Sequence, residues 1–338
     1  MTQPTHARRS RLGFCLLGAV FVLVLLGSTL LGRFALTPGE LLSLLGLSDA
    51  PLRDGAQTVF FQIRLPRIAA AVLVGAALSC AGAAYQGMFR NPMVSPDILG
   101  ASTASGFGAA LGILLGAGYF GISLTAFCFG LGAVALAYAV SRLARANETI
   151  ALILSGMVIS SLFSAGTSFI KLAADTQEQL PAITYWLMGS LASVKLRDVL
   201  FLAVPVLLGL IPLLLLCWRI NLLTVGEDEA KSIGVNTGAL RLSVIVCATL
   251  LTAASVAVSG MIGWVGLIVP HFCRMLFGSD YRRLLPASAL FGATFLLVTD
   301  DVARTVVAGE IPIGILTAFV GAPIFLWLIL TGGGKRVR

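Results

Sequence analysis

The sequence is short of charge. Of 338 residues only 38 are Asp, Glu, Lys or Arg, 11% of the chain, while 58% are apolar and the mean hydropathy is +0.97. A soluble domain carries charge on about a quarter of its residues, and no stretch of that composition is long enough here to build a second core. Histidine is nearly missing: His6 lies in a charged tail, and His271 follows Pro270 with no Asp or Glu at metal-ligand spacing and with Cys273 two positions on. A packing or capping role suits His271 better than a metal site. Cys15, Cys80, Cys128, Cys217, Cys247 and Cys273 fall in apolar runs and never form a CxxC pair, so they read as buried free thiols. No catalytic constellation is visible, and no metal or cofactor is expected on this chain. GAGYFG at 116–121 lacks the strand and helix that would make it a dinucleotide fingerprint, and GGGKR near the end lacks the P-loop spacing. The chain has no device of its own for binding ATP.

Long apolar runs take the place of all this. A membrane-spanning helix needs about 20 apolar residues, and such runs lie near 12–32, 66–88, 98–115, 120–140, 148–171, 198–217, 240–259, 262–277, 285–306 and 312–331. The expectation is an all-α polytopic membrane protein of about ten transmembrane helices, a single domain over 1–338. The first span follows His6, Arg8, Arg9 and Arg11 and is longer than a cleavable signal core, so it reads as retained. With both termini in the cytoplasm, fifteen of the 23 Lys and Arg fall inside: Arg8, Arg9, Arg11, Arg90, Arg142, Arg145, Arg219, Lys231, Arg241, Arg274, Arg282, Arg283, Lys335, Arg336 and Arg338. Eight fall outside: Arg33, Arg53, Arg64, Arg67, Lys171, Lys195, Arg197 and Arg304. The positive-inside rule favours that topology and accounts for the net charge of +8 with membrane lipid, and no nucleic acid, as the surroundings.

Small residues crowd several spans: Gly75 and Ser79; Gly108, Gly112 and Gly116; and Gly156, Ser160, Ser164 and Ser168 at intervals of four. That spacing lets helix backbones approach closely; the stripe Ser160, Ser164, Thr167 and Ser168 could alternatively face a translocation path. Gly82 and Pro92 precede Gly260 and Pro270 by 178 residues, a hint of a duplicated half. Asp300 precedes Arg304 by four, the favourable order for a helical ion pair. Two outer segments, 33–63 and 172–197, are long enough to be lids or to meet an external partner, the second with Tyr185 and Trp186 at headgroup level. Mid-span carboxylates do not stand out, which argues against an ion-coupled secondary carrier.

Against this apolar background GEDEAKSIGV, residues 226–235, is an interruption. Gly226 and Gly234 bracket a short helix with an acidic first turn, as a helix N-terminus prefers, on the cytoplasmic side between the sixth and seventh spans. An ordered polar helix there suits engagement of an energy-supplying subunit.

The chain resembles the FecCD family of iron-chelate and cobalamin type ABC importer permeases from about residue 35 to residue 331. The resemblance rests on RLPRIAAAVLVGAALSCAGAAYQGMFRNPMVSPDILGAS, QLPAITYWLMGSLASV, GEDEAKSIGV, SGMIGWVGLIVPHFCRMLFGSDYRRLLP and DDVARTVVAGEIPIGILTAFVGAPIFLWLI. It implies the type II ABC importer permease fold in a cell inner membrane and a homodimer around a central path. It also implies two ATP-binding cassette subunits that hold ATP and Mg and hydrolyse the ATP, and a periplasmic substrate-binding protein. On that likeness Gly226, Glu227, Asp228, Glu229, Ala230 and Gly234, within a coupling segment of about 219–239, would seat in the ATPase. Glu229, Ala230 and Gly234 resemble its EAA-x3-G pattern, with Lys231 in place of the second alanine. Arg64, Arg67 and Arg304 would stand on the outer rim to dock the binding protein. Asn147, Glu148 and Thr149 match the inner gate, although helix capping by Asn147 explains them nearly as well, and the hydroxyl stripe would line the path. The implied cargo is an iron(III)-siderophore complex, with haem, cobalamin or an oxyanion such as molybdate as alternatives.

Overall fold

The computed structural model describes residues 3–32, 34–144, 147–307 and 309–330, with the backbone alone for residues 3–9, 227 and 228. Arg33, Arg145, Lys335, Arg336 and Arg338, and the side chains of His6, Arg8, Arg9, Glu227 and Asp228, lie outside the described residues. Everything regular among the described residues is helical. The elements are α1 (Gln3–Leu30), α2 (Pro38–Leu44), α3 (Ala56–Thr58), a π-helical turn (Val59–Arg64), α4 (Leu65–Met88), α5 (Ala101–Leu114), α6 (Tyr119–Leu143), α7 (Glu148–Ala173), α8 (Gln179–Leu187), α9 (Leu196–Val225), α10 (Glu227–Ser232), α11 (Thr237–Ser259), α12 (Val265–Phe277), α13 (Tyr281–Thr305) and α14 (Ile313–Leu330). Eight of these helical stretches are long and apolar enough to cross a membrane, and α5 and α12 are shorter apolar helices. The ten coincide with the ten apolar runs of the sequence, so the chain is an all-α polytopic membrane protein.

Helix starts follow local chemistry. Asn147, Asn236 and Asp280 each accept a hydrogen bond from a first-turn backbone N–H of α7, α11 and α13, at 3.0 Å in every case, satisfying donors the helix itself leaves orphaned. Thr37 and Glu40 form a reciprocal capping box at α2, with Pro38 at the first helical position.

Burial sorts the long helices into two groups. The most apolar windows of α4, α11 and α13 are 83%, 78% and 61% buried, whereas those of α1, α7, α9 and α14 are at most 28% buried. The middle of the molecule is therefore α4, flanked by α9, α11, α12 and α13. In lipid the surrounding tails are as apolar as leucine, so packing rather than water exclusion must hold these helices together. The packing here is backbone on backbone. A Cβ at Gly75 would stand 2.2 Å from the Gly292 carbonyl oxygen of α13, and one at Gly82 would stand 1.8 Å from that of Gly266 in α12. Gly108 and Gly112 do the same service between α5 and α6, and Gly156 lets α7 onto residues 98–99; Gly116 serves a turn instead, at φ +69°.

The suggested duplication of Gly82/Pro92 in Gly260/Pro270 does not hold. Gly82 is a helix-interior packing residue, while Gly260 ends α11 at φ +68° and Pro270 lies inside α12. The 33–63 segment is a lid with its own small core of Leu36, Ala56 and Phe60. In the 172–197 segment Ile183 of α8 is fully buried, Tyr185 is exposed, and Trp186 packs against the cluster of Ala109, Ala126 and Ala257 rather than standing free.

Gly82→Val should break the α4–α12 contact, because a clash with backbone cannot be relieved by a rotamer change; overpacking of this kind costs at least about 1–3 kcal/mol. Thermal unfolding in detergent should fall markedly for Gly82→Val and stay unchanged for Gly18→Ala, whose Cβ meets nothing within 4 Å.

Candidate functional site

Consecutive helices run antiparallel, so one end of the bundle gathers the ends of α4, α6 and α9 with the starts of α7, α11 and α13. The opposite end gathers the end of α1, the start of α4 and the end of α13.

At that opposite end lie Arg64, Arg67 and Arg304. The expectation of free rim charges is corrected here: they are only 3%, 5% and 7% exposed. The reason is local neutralisation. Arg67 Nε is 2.9 Å from both oxygens of Asp300, and its Nη1 is 2.9 Å from Glu310 Oε1. Arg304 donates to Asp301, to Ser28 Oγ at 2.9 Å and to the Ser28 carbonyl at 2.7 Å. Arg64 turns to the end of α1, donating to the carbonyls of Thr29, at 2.5 Å, and Phe34, where a helix C-terminus favours a cation. Three guanidinium groups face Asp300, Asp301 and Glu310, so the cluster carries no net charge. The anticipated Asp300–Arg304 pair is present but long, at 3.9 Å, because Asp300 is committed to Arg67. The sequence reading missed Glu310, which pins residues 309–312 to α4; no spacing signal links it to Arg67, 243 positions away.

The lid is held by a second ion pair. Arg53 Nε lies 2.5 Å from Glu40 Oε1, Arg53 Nη2 lies 2.8 Å from Glu40 Oε2, and the guanidinium stacks over Phe34. The Arg53 contact, with the Thr37 backbone N–H, holds the Glu40 carboxyl well below its ordinary value.

At the α10-bearing end, Asn147 caps α7 as just described. Glu148 contacts Arg142 at 2.9 Å and Arg241 at 3.4 Å, and Arg241 Nη2 donates to Thr149 Oγ1 at 2.9 Å. Asn147, Glu148 and Thr149 are thus part of a polar tie joining α6, α7 and α11, with Arg241 the partner the sequence reading missed. The hydroxyl stripe of α7 is less available than a path lining would need. Ser160, Thr167 and Ser168 donate to the carbonyls four residues back, at 2.8, 2.9 and 3.1 Å. Ser164 and Ser168 are nonetheless exposed in the single chain, beside exposed Leu162 and Phe169.

The GEDEAKSIGV segment forms α10. Its end is a Schellman motif: Gly234 N–H donates to Lys231 O at 2.9 Å and Val235 N–H to Ala230 O at 3.0 Å. Gly234 sits at φ +85°, a conformation that costs a side-chain-bearing residue. Ala230 is 1% exposed and anchors the helix inward, while Val225 and Ile233 stand 69% and 66% exposed on either side of it. Glu229 folds back over Gly226, where a Cβ would meet its carboxylate at 1.8 Å. The short capped helix is thus flanked by two exposed apolar side chains, one at the end of α9 and one at its own C-cap.

Polytopic helices packed around α4, a capped helix protruding from one end and a neutral charge cluster closing the other define a membrane transport subunit of the ABC importer permease class. The chain belongs to the FecCD transport family, which matches residues 19–331. It is 43% identical to the molybdate import system permease protein MolB of Haemophilus influenzae, over 99% of both chains. It is 37% identical to the hemin transport system permease protein HmuU of Yersinia pestis, over 97% of both. A solved structure described as an inward-facing conformation of a metal-chelate type ABC transporter superposes with a TM-score of 0.85 at 43% identity, covering 93% of this chain and 97% of that one.

Removing one partner of a buried ion pair strands the other charge, at about 3–5 kcal/mol. Arg67→Leu should therefore lower the unfolding midpoint sharply, and Arg67→Leu with Asp300→Leu should recover most of it; a surface-charge role for Arg67 would leave both near wild type. Acid acts on the lid. The depressed Glu40 value means that its contribution is complete above the ordinary value of 4.5 and fades as pH falls below it. Amide exchange protection over residues 37–45 should be flat at neutral pH and decline in acid, and Glu40→Gln should abolish that dependence.

Proposed function

We propose that this permease works as a homodimer with two ATP-binding cassette subunits and a periplasmic substrate-binding protein, and that its cargo is molybdate. The cargo reading rests on the full-length identity to a molybdate import permease. A second reading, a ferric siderophore or related iron chelate, has support from the solved neighbour of metal-chelate type.

Within this scheme α10 is where the ATPase would bear on the permease. Ala230 ties the helix to the bundle, and Val225 and Ile233 are the exposed apolar contacts, so movement of a bound partner would pass into α9 and α11 without being lost in a loose loop. Alternating access then follows from a rigid-body change between two packed arrangements. The exposed faces of α7 and α14 would meet their copies across the dimer axis and line the path. With the hydroxyl protons of Ser160, Thr167 and Ser168 occupied within the helix, that path would bind cargo weakly, and weak binding lets cargo leave.

The binding protein would dock on the opposite end. There the buried cluster of Arg64, Arg67 and Arg304 would shape the platform, while Arg197, 62% exposed although 3.7 Å from the buried Asp198, would present a guanidinium to a docking partner. Single domain organisation, inner-membrane placement and cytoplasmic termini complete the proposal. On this reading the chain itself holds neither ATP nor Mg.

Uptake of labelled molybdate or a ferric siderophore into proteoliposomes holding the permease, its co-purified ATPase and the cognate binding protein tests this. ATP-dependent accumulation of molybdate is expected, and accumulation of the siderophore alone would replace the first cargo with the second. Accumulation indifferent to ATP but responsive to an ion gradient would refute the scheme. Glu229→Arg should abolish ATP-driven uptake while the dimer remains folded, and normal uptake by it would remove the coupling role of α10.

A further inference from the structure

A cavity of about 330 Å³ lies at the α10-bearing end, lined among others by Gln86, Arg90, Thr224, His271, Arg274 and Tyr281. It joins the ends of α4, α9 and α12 and the start of α13. Its charge is one-sided: two arginines and a histidine line it, and no Asp or Glu does.

Arg274 is oriented from within the chain. Gln86 Nε2 donates to the carbonyls of Val94, at 3.1 Å, and Gly266, at 3.3 Å, which turns Gln86 Oε1 toward the Arg274 guanidinium. Tyr281, whose hydroxyl donates to Ala83 O at 3.1 Å, lines the same cavity. The neutral Gln86 oxygen thus orients Arg274 without answering its charge. Among the described residues no carboxylate lies within ion-pair distance of Arg274 or Arg90. Asp280, next to Tyr281 in the chain, is spent on Asn221 Nδ2, at 2.7 Å, and on the Arg282 N–H. His271 is only 7% exposed, and its Nε2 has no hydrogen-bond partner among the described residues.

Arg274 is only partly shielded from solvent, yet a guanidinium held among helix ends is normally paired, as the buried Arg67 is at the other end of this same molecule. A preorganised but unanswered guanidinium, beside an unpartnered imidazole and under an exposed arginine, is a site lacking its anion. Planar guanidinium groups match tetrahedral oxyanions through paired N–H donors. We propose that this cavity binds a tetrahedral oxyanion, a phosphate, molybdate or sulfate group, held by Arg274 at its floor and Arg90 at its rim. Thr224 in the wall is two residues before Gly226, so an occupant would brace four helix ends where α9 leads into α10. The site does not depend on the identity of the transported cargo. A free ion and the phosphate of an anionic lipid headgroup offer it the same chemistry.

The test is equilibrium binding of radiolabelled inorganic phosphate to the full chain in phosphate-free non-ionic detergent, with chloride holding ionic strength constant and molybdate as competitor. Saturable binding, one phosphate per chain and displaceable by molybdate, is expected. Arg90 is exposed and sits at φ +51°, so Arg90→Gly removes the side chain while easing the backbone, and this variant should fold as well as the wild type. It should bind about tenfold more weakly, the loss expected for one charge-assisted hydrogen bond. Arg274→Lys should bind more weakly still, because an ammonium cannot reproduce the fork. A short-chain phosphatidate that displaces the label where phosphatidylcholine does not assigns the site to lipid phosphate; displacement by molybdate and phosphate alone assigns it to a free ion. Absence of saturable binding, or equal binding by wild type and the folded Arg90→Gly chain, overturns the proposal.

Discussion

The closeness with which α4 approaches α12 and α13 is the constraint on which the rest of the molecule depends. Helices in lipid gain little from hiding apolar surface, so they associate where their backbones can touch. Gly75, Gly82, Gly266 and Gly292 leave no room for a Cβ at these crossings. That fixes the depth and rotation of the three helices against one another, and with them the ends of α4, α12 and α13. The polar groups at both ends of the bundle sit on helices already locked in register.

The two ends use that rigidity differently. At the end near Arg67 the charges cancel: three arginines meet three carboxylates, and residues 309–312 and the end of α1 are clamped together. At the α10-bearing end the pairing is looser. Glu148 and Arg241 tie α6, α7 and α11 through partly exposed pairs of the kind worth little individually, and Arg274 has no carboxylate partner among the described residues. Strong buried pairs suit a platform that must keep its shape. Weak exposed pairs suit an end whose helices must shift during a transport cycle.

Function follows from the same division. Under the proposed scheme α10, with its Schellman end, its buried Ala230 and its exposed Val225 and Ile233, would be the place where force enters. If α7 lines the path as proposed, the variety of cargo among relatives would suit a stripe in which Ser160, Thr167 and Ser168 already donate within their own helix. On that proposal, selectivity would rest with the protein that delivers the cargo.

Much of this was legible beforehand because hydropathy and helix punctuation are local properties. The ten apolar runs, the cap at Asn147 and the glycine-bracketed α10 are all written in neighbouring residues. Whether Arg64, Arg67 and Arg304 face water or one another is not local. Arg67 meets Asp300 and Glu310 across 233 and 243 positions, so only the packing of α4 on α13 could reveal that expected rim charges are buried and neutralised. Arg274 shows the converse. Its three-residue spacing from His271 put both on one helix face in sequence, but the absence of a countercharge became visible only when four helix ends were assembled around them. The sequence by itself determined which segments are helices, where they start and that they lie in a membrane, since these depend on short-range hydrogen bonding and transfer energy. The tertiary structure alone decided which charges are paired, because ion pairing depends on distances between segments that the chain brings together only by folding.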